Sequence, residues 1–499
     1  MGVIVKQSIK GTIYSYLGVL LGFITSGIIM PHIMSPDKIG LLALLVAYAT
    51  IFAQFASLGF NNVISRFFPY FKDDSNHHHG FLNIVFKVIS IGFVSSIIVF
   101  FLLKSYLVHA GTERSPLFIN YMIYIVPLIF TLLVFSVFDQ YYSMQFNSVL
   151  GTFLKEFIQR IIIFLVIVLF YLKWIDFDWL VILYVFAFFV PTILIVYSLW
   201  QEKNLNLKPA HGFVSPQMKR SMTSVAMNSF LVGMSGIIIM YINSIMIERM
   251  VDLSSTGIFT ICLFVGNILL VPSRPLSKIA NAVIAESWKN NDTKTIYEVY
   301  YKSCINQLII GSFIFILIWA NIDNLLKFFP HAYSSGAYII FWVAIGNLIN
   351  MSTGVNVYVI YTSKYYKSLT YFAVFQILIS VISNYFFIKM WGITGAGVAF
   401  AFTFLCINIM YFWYILVKFK MQPFDVKTIK AIFVVFVSYL SVYFIPTINN
   451  FIIDGILRSA IISIIFISLV FLLNLSKEIS EWIRYAWKFL FNSEIRFNK

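Results

Sequence analysis

The chain has 499 residues, 60% hydrophobic and only 11% charged, and its 35 Lys and Arg against 20 Asp and Glu give a net charge of +15. An ordinary soluble domain is about 45–50% apolar and about 25% charged. A water-soluble globule could not hide this much apolar surface, so a soluble enzyme, a disordered chain and a fibrous protein are excluded, and an all-α protein crossing a membrane many times remains.

A spanning helix needs about 20 mostly apolar residues. Stretches without Asp, Glu, Lys or Arg run over 12–36, 39–65, 88–103, 115–138, 179–201, 221–247, 253–273, 303–322, 328–363, 368–388, 390–417, 431–453 and 459–476. The third needs its flank near Ile84 to reach full length. A fourteenth span is predicted over about 149–172, where Lys155, Glu156 and Arg160 must lie in or beside the membrane, because 161–172 is too short to cross alone. Barrel strands are about 9–11 residues and alternate in polarity; these runs are longer and apolar on all sides, so helices are predicted. Only Lys6 and Lys10 precede the first run, with no small-residue cleavage site behind it, which reads as an uncleaved helix. Cys262, Cys304 and Cys406 are far apart in apolar stretches and read as core residues rather than disulfides or metal ligands. The longest loop, about 200–220, carries Pro209, Gly212 and Pro216 and leaves no room for a catalytic domain, so no enzyme is predicted. Over 476–499, Ile479, Trp482, Ile483, Ala486 and Leu490 share one helical face, the pattern of an amphipathic helix lying on the inner membrane surface.

With a cytoplasmic N-terminus, 27 Lys and Arg fall at cytoplasmic ends and 8 at the opposite ends. The positive-inside rule selects that orientation, with both termini cytoplasmic. The net charge is thereby explained by topology and anionic lipid, and no nucleic-acid motif accompanies it. A weak repeat is present. Gly40 in the second span and Gly257 in the eighth are 217 residues apart, as are Gln159 and Gln376. Each pair relates span n to span n+6, so the halves enter the membrane in the same direction. The predicted architecture is an N-lobe over 1–200, a cytoplasmic linker over 201–220, a C-lobe over 221–418, two further helices over 419–475 and the tail over 476–499.

Local segments carry a resemblance. The stretch "MWGITGAGVAFAFTFLCINI" resembles the opening of the twelfth helix of bacterial polysaccharide flippases. "LGFNNVISRFFPYF" resembles the exit of their second helix, and "STGIFTICLFVGNILLVPSRPLSKIANAVIAESW" their eighth helix and its exit. Together with the fourteen-helix layout they resemble the multidrug/oligosaccharidyl-lipid/polysaccharide exporter superfamily, in particular its Wzx-type O-antigen and capsule branch. The resemblance implies alternating access that carries a polyprenyl-pyrophosphate-linked oligosaccharide from the inner to the outer leaflet of a bacterial inner membrane. It also implies a monomer, no cofactor, and polysaccharide polymerase machinery as a candidate partner besides membrane lipids.

Such a headgroup needs a cationic route, because unpaired charge in hydrocarbon costs several kcal/mol or more. Arg160 in the fifth span is the leading candidate, with Glu156 one turn before it. Arg66 after the second span, Arg274 and Lys278 after the eighth, and Lys87 at the start of the third are the others. Helix-end cations also snorkel to lipid phosphates, which is the competing reading for each. Gln54, Asn228, Asn243 and Asn267 are candidate sugar-binding groups, or interhelical hydrogen-bonding groups. Ion coupling would want a carboxylate within the membrane, and Asp139, Glu156, Glu248 and Glu286 all lie near span ends. A multidrug antiporter of the same superfamily is the nearest rival, and a membrane-bound glycan polymerase or transferase a more distant one. Asp176 and Asp178 imitate the DxD of metal-using transferases in too short a loop. His77, His78 and His79 read as a solvated loop, since adjacent histidines cannot easily share one ion.

Overall fold

The computed structural model describes residues 13–73, 77–111, 115–145, 148–202 and 213–481. Twelve helical stretches are long and apolar enough to cross a membrane. One of them, Ser368–Phe419, is two spans, broken where Trp391 and Gly392 leave the helical region. The segment 148–171 supplies another through consecutive helices ending in Gln159–Tyr171, so the described residues hold fourteen spans. The break explains one motif. Gly392 has φ +56°, a conformation that costs a residue with a Cβ about 1–2 kcal/mol. It lets the eleventh span turn directly into the twelfth without a loop.

Contacts divide the chain into two units, Met1–Ile261 and Cys262–Lys499. In the first, the second span (Pro36–Ala56) packs on the fourth (Pro116–Met144), the third (His78–Val108) and the seventh (Pro216–Met250). Gly40 and Gly257 meet where the second and eighth spans begin. A Cβ on Gly257 would sit 1.8 Å from the Pro36 carbonyl oxygen, and one on Gly40 2.2 Å from that of Leu253. The first and fifth spans each carry a π-helical segment, Phe23–Ile29 and Leu154–Ile158.

In the second unit, Ile305, Leu308, Ile309 and Ile316 of the ninth span (Thr293–Trp319) form one core with Val434 and Val442 of the thirteenth (Val426–Tyr443) and Ile462, Phe466 and Val470 of the fourteenth (Phe451–Leu472). The fourteenth span begins earlier than the charge-free stretch 459–476 suggests, and brings Asp454 and Arg458 into the helix. They are buried and bonded to each other and to neighbouring groups, which offsets the cost that kept them outside on sequence grounds. Cys262 and Cys304 are buried and free, and Cys406 is partly so. Of the tail, residues through Glu481 are described. Ile479 joins the core of the last helices, and Trp482, Ile483, Ala486 and Leu490 lie outside the described residues.

Candidate functional site

The seventh span starts earlier than its charge-free stretch. The Ser215 hydroxyl accepts from the Met218 amide at 3.1 Å and Pro216 occupies the first turn, a strong helix start. Lys219 and Arg220 therefore belong to the helix, and no acid accompanies them in its first turn. Cations at the positive pole of a helix typically cost about 0.3–1 kcal/mol each. A local rule broken in this way marks a place to look for function.

A cleft of about 860 Å³ lies at that end of the first unit. Its walls are the turn after the second span (Leu58, Phe60), the start of the third (Asn83, Lys87) and about the first four turns of the seventh, from Lys219 to Phe230. A second hollow of about 600 Å³ runs along the same face of the seventh helix. It shares Lys219, Thr223 and Met227 with the cleft and adds Arg220 and Asn228. No Asp or Glu is among the described residues lining either. Of the six buried residues of the seventh helix, Met222 lies near its start, Ser235 midway, and Asn243, Ser244, Ile247 and Glu248 at its far end. There Arg249 reaches Glu248 at 3.2 Å and the Leu107 carbonyl at 3.4 Å. Below the cleft the helix also packs on the end of the second span, where a Cβ on Gly59 would lie 2.2 Å from the Ala226 carbonyl oxygen and Phe55 meets Phe230 edge-on at 5.7 Å.

The residues singled out in the sequence fall in different places. Lys87 is exposed and lines the cleft. Arg66 is exposed on the helix Phe60–Phe71 that continues the second span. Arg160 donates to the Gly18 carbonyl at 2.6 Å and to Glu156 at 2.7 Å, which ties the fifth span to the first. Gln54 lies against Gly233 of the seventh helix, Asn228 lines the second hollow and Asn243 is buried at the packed end. In the second unit Asn267 accepts from Asn347 at 2.9 Å. Arg274 is exposed on Ser273–Lys289, the helix that also carries Lys278. The structure thus brings Lys87 together with Lys219 in the cleft, and Arg220 together with Asn228 in the adjoining hollow. The two new cations were legible in principle, because Ser215-Pro216 is a helix-start signal and Lys219, Thr223 and Met227 recur at a four-residue spacing.

The remaining motifs are absorbed locally. Asp176 caps the sixth span (Phe177–Gln201) by accepting from the Trp179 amide at 2.9 Å, and Asp178 accepts from the Tyr121 hydroxyl. His78 accepts from the Asp73 amide at 3.1 Å, and His79 lies 3.2 Å from the Asp73 carboxylate and stacks on Phe213. The described residues contain no group of three His, Cys, Asp or Glu placed to hold a metal ion.

A family profile described as "Polysaccharide biosynthesis protein" matches residues 5–285. No curated protein matches the chain. Among solved structures, the lipid II flippase MurJ in an inward closed conformation is similar with a TM-score of 0.69 at 14% identity, over 93% of this chain and 98% of that one. An inward-facing multidrug resistance MATE family transporter of the MOP superfamily follows at 0.62 and 13%, over 83% and 97%. An outward-facing MATE family transporter gives 0.54 at 12% identity, over 83% and 94%. At these identities the likeness is one of fold.

Proposed function

The chain belongs to the polysaccharide biosynthesis protein family, and on that footing we propose that it is a flippase carrying a polyprenyl-pyrophosphate-linked oligosaccharide from the inner to the outer leaflet of a bacterial inner membrane, for assembly of a surface polysaccharide such as O-antigen or capsule. The observation that carries the reading is the cleft walled by Lys87 and Lys219, with Arg220 beside it and no carboxylate in its lining. A pyrophosphate needs cations where it leaves water, and an amine offers a point charge from which it can depart again. The basic ends of the spans orient this cleft toward the cytoplasm, where such a lipid would be loaded. Arg66, Arg274 and Lys278 are proposed as further cations along the route, and Gln54, Asn243 and Asn267 as polar groups within it. An antiporter of cationic drugs shares the fold, but a cleft of this sign would repel its substrate.

The test is a flipping assay. The purified protein is placed in liposomes with a fluorescent polyprenyl-pyrophosphoryl oligosaccharide, alongside a Lys87→Gln, Lys219→Gln double variant. Flipping by the wild type and a loss of about tenfold or more in the folded variant are expected, since each charged hydrogen bond contributes about 1.5–3 kcal/mol. Absence of flipping by a well-folded wild type overturns the proposal.

A further inference from the structure

Between Asp323 and Asp425 the chain holds no acidic residue, yet it carries Lys327, Lys364, Lys367, Lys389, Lys418 and Lys420. Four of these meet at one edge of the second unit. Lys364 and Lys367 lie in the turn 362–367 between the tenth and eleventh spans, and Lys418 and Lys420 at the end of the twelfth. The positive-inside rule places both ends at the cytoplasm. The turn is tightly bonded. Ser363 is buried, and its hydroxyl donates to the Ile360 carbonyl at 2.8 Å and accepts from the Tyr365 amide at 3.0 Å. Tyr365 is thereby held edge-on to Tyr414 at 6.4 Å and to Phe419 at 5.7 Å, and Phe419 meets Trp288 at 5.0 Å. Lys364 lies over the Tyr365 ring at 5.2 Å and Lys418 over the same ring at 5.7 Å, so their ammonium groups are at most about 11 Å apart, the sum of those distances. All four lysines are exposed, and among the described residues none of them forms an ion pair. Elsewhere in the unit Lys302 has Glu478 at 3.0 Å. Like charges gathered around one ring without an acid repel each other and attract an external anion.

Apolar side chains lead away from this patch along both spans. Tyr371, Phe375, Leu378 and Ile382 are exposed on one face of the eleventh span, and Ile409, Trp413 and Val417 on one face of the twelfth. Phe372 holds the two spans together here, edge-on to Tyr411 at 5.4 Å and to Tyr414 at 5.3 Å. A cationic end continuous with an apolar wall suits an amphiphile and not a soluble anion. Two apolar tracks match the two acyl chains of a glycerophospholipid better than the single chain of a prenyl carrier. We propose that this patch holds an anionic phospholipid of the inner leaflet, its phosphate between Lys364 and Lys418 and its chains along the eleventh and twelfth spans. The lipid is a bound effector and not the transported molecule. It ties the turn 362–367 to the end of the twelfth span and, through Phe419 and Trp288, to the helix Ser273–Lys289, so the second unit is more stable with anionic than with zwitterionic lipid. The inference stands apart from the proposed function.

The experiment titrates the delipidated full-length protein in detergent with fluorescent phosphatidylglycerol, and follows its thermal unfolding with phosphatidylglycerol or phosphatidylcholine added. Saturable binding is expected, weakened about tenfold or more by Lys364→Gln with Lys418→Gln. Phosphatidylglycerol should raise the Tm of the wild type, and the double variant should lose that rise while keeping its Tm in phosphatidylcholine. Lys364→Arg with Lys418→Arg, which keeps the charge, should bind within about threefold of the wild type. Lys294→Gln with Lys430→Gln removes two exposed lysines from other helices of the same unit and should change the affinity by less than about twofold. Equal losses in the two neutral variants would reduce the effect to general surface charge and overturn the proposal. Phosphatidylcholine binding as tightly as phosphatidylglycerol overturns it as well. Displacement of the bound lipid by polyprenyl phosphate at equal concentration would assign the patch to the carrier, and displacement by inorganic phosphate would make it a soluble-anion site; either result also overturns it.

Discussion

Arg458 and Asp454 show how a spanning helix can hold charge by pairing it and bonding it to neighbouring backbone. The Arg458 guanidinium meets Asp454 at 2.7 Å and the Val442 and Ile445 carbonyls at 2.9 and 2.8 Å. Asp454 also accepts from Asn324 at 2.6 Å and from the Ile448 amide at 3.0 Å. Removing one partner leaves the other charge buried and unpaired, so Arg458→Ala should cost about 3–5 kcal/mol, whereas Arg458→Met with Asp454→Leu should cost clearly less. Thermal unfolding in detergent should rank the double variant above the single one. Arg160 is bound in a comparable way, by Gly18 and Glu156, but is about a third exposed. Its replacement by Ala should loosen the first span from the fifth by about 1 kcal/mol. Gly257 admits no such latitude. Its absent Cβ would lie 1.8 Å from a backbone oxygen, and backbone cannot swing aside. Gly257→Val should therefore destabilise strongly or change the crossing of the second and eighth spans, which disulfide trapping between cysteines at Asp37 and Ser254 would detect as altered cross-linking.

At the scale of elements, the number of spans was legible because a bilayer demands long apolar runs and the chain contains little else. Helix ends were less legible. Lys87, Lys219, Arg220, Asp454 and Arg458 fall outside the charge-free stretches, yet all five lie in helices. The first three line the cleft and hollow and keep access to water, and the last two satisfy each other. The site was therefore hidden by the same criterion that revealed the fold. The three histidines were equally opaque, since their role depends on a residue far along the chain. His78, His79 and Gly80 take consecutive left-handed conformations at φ +52°, +48° and +66°, which costs the two histidines about 1–2 kcal/mol each. The His79 ring lies parallel to Phe213 with 4.0 Å between centroids, and Phe71 packs on the same phenyl ring at 4.9 Å. These contacts offset part of the strain and hold the approach to the seventh helix. Phe213→Ala and His79→Ala should each lower stability, with a coupling of about 0.5–1.5 kcal/mol in a double-mutant cycle. The beginning of the tail is docked by Glu478 against Lys302 at 3.0 Å, and by Ser476, whose hydroxyl donates to Asn306 at 2.6 Å. Burial alone would raise the Glu478 carboxyl, but the hydrogen bond and charge of Lys302 hold it below its usual 4.5. A lowered carboxyl contributes its stability above the unfolded value and loses it as the pH falls through the folded one. Both partners are well exposed, so the contribution is at most about 1 kcal/mol. Hydrogen exchange at Ile479 and Ser480, corrected for intrinsic rates, should quicken below about pH 4.5, and Lys302→Met should abolish that dependence.

For the whole molecule, the proposed flippase activity raises the question of what would drive net movement. A pyrophosphate headgroup carries roughly two negative charges, and the cell interior is negative. Outward transfer is then favoured by about 2.3 kcal/mol per charge for each 100 mV, which for two charges exceeds a thousandfold bias. No second gradient is needed on energetic grounds. The carboxylates that could couple an ion are poorly placed to do so. Glu156 is paired with Arg160 and Glu248 with Arg249, Asp139 is wedged against Gly151, and Glu286 is exposed. A cleft that binds its anion through lysines also suits a cycle driven by voltage. Release to the far side requires that the cations let go, and a hydrated ammonium holds phosphate less rigidly than a guanidinium fork. Arginine at both positions should consequently strengthen binding while slowing turnover, a split that a merely structural role for Lys87 and Lys219 would not produce. In proteoliposomes with the labelled lipid loaded on the negative side, imposing a potassium-diffusion potential should accelerate flipping. Replacing sodium by choline at constant potential should change the rate by less than about twofold, because no step draws on the sodium gradient. Collapse of transport on that replacement would mean that one of the paired carboxylates exchanges its arginine for an ion during the cycle, and the electrical account would have to be abandoned.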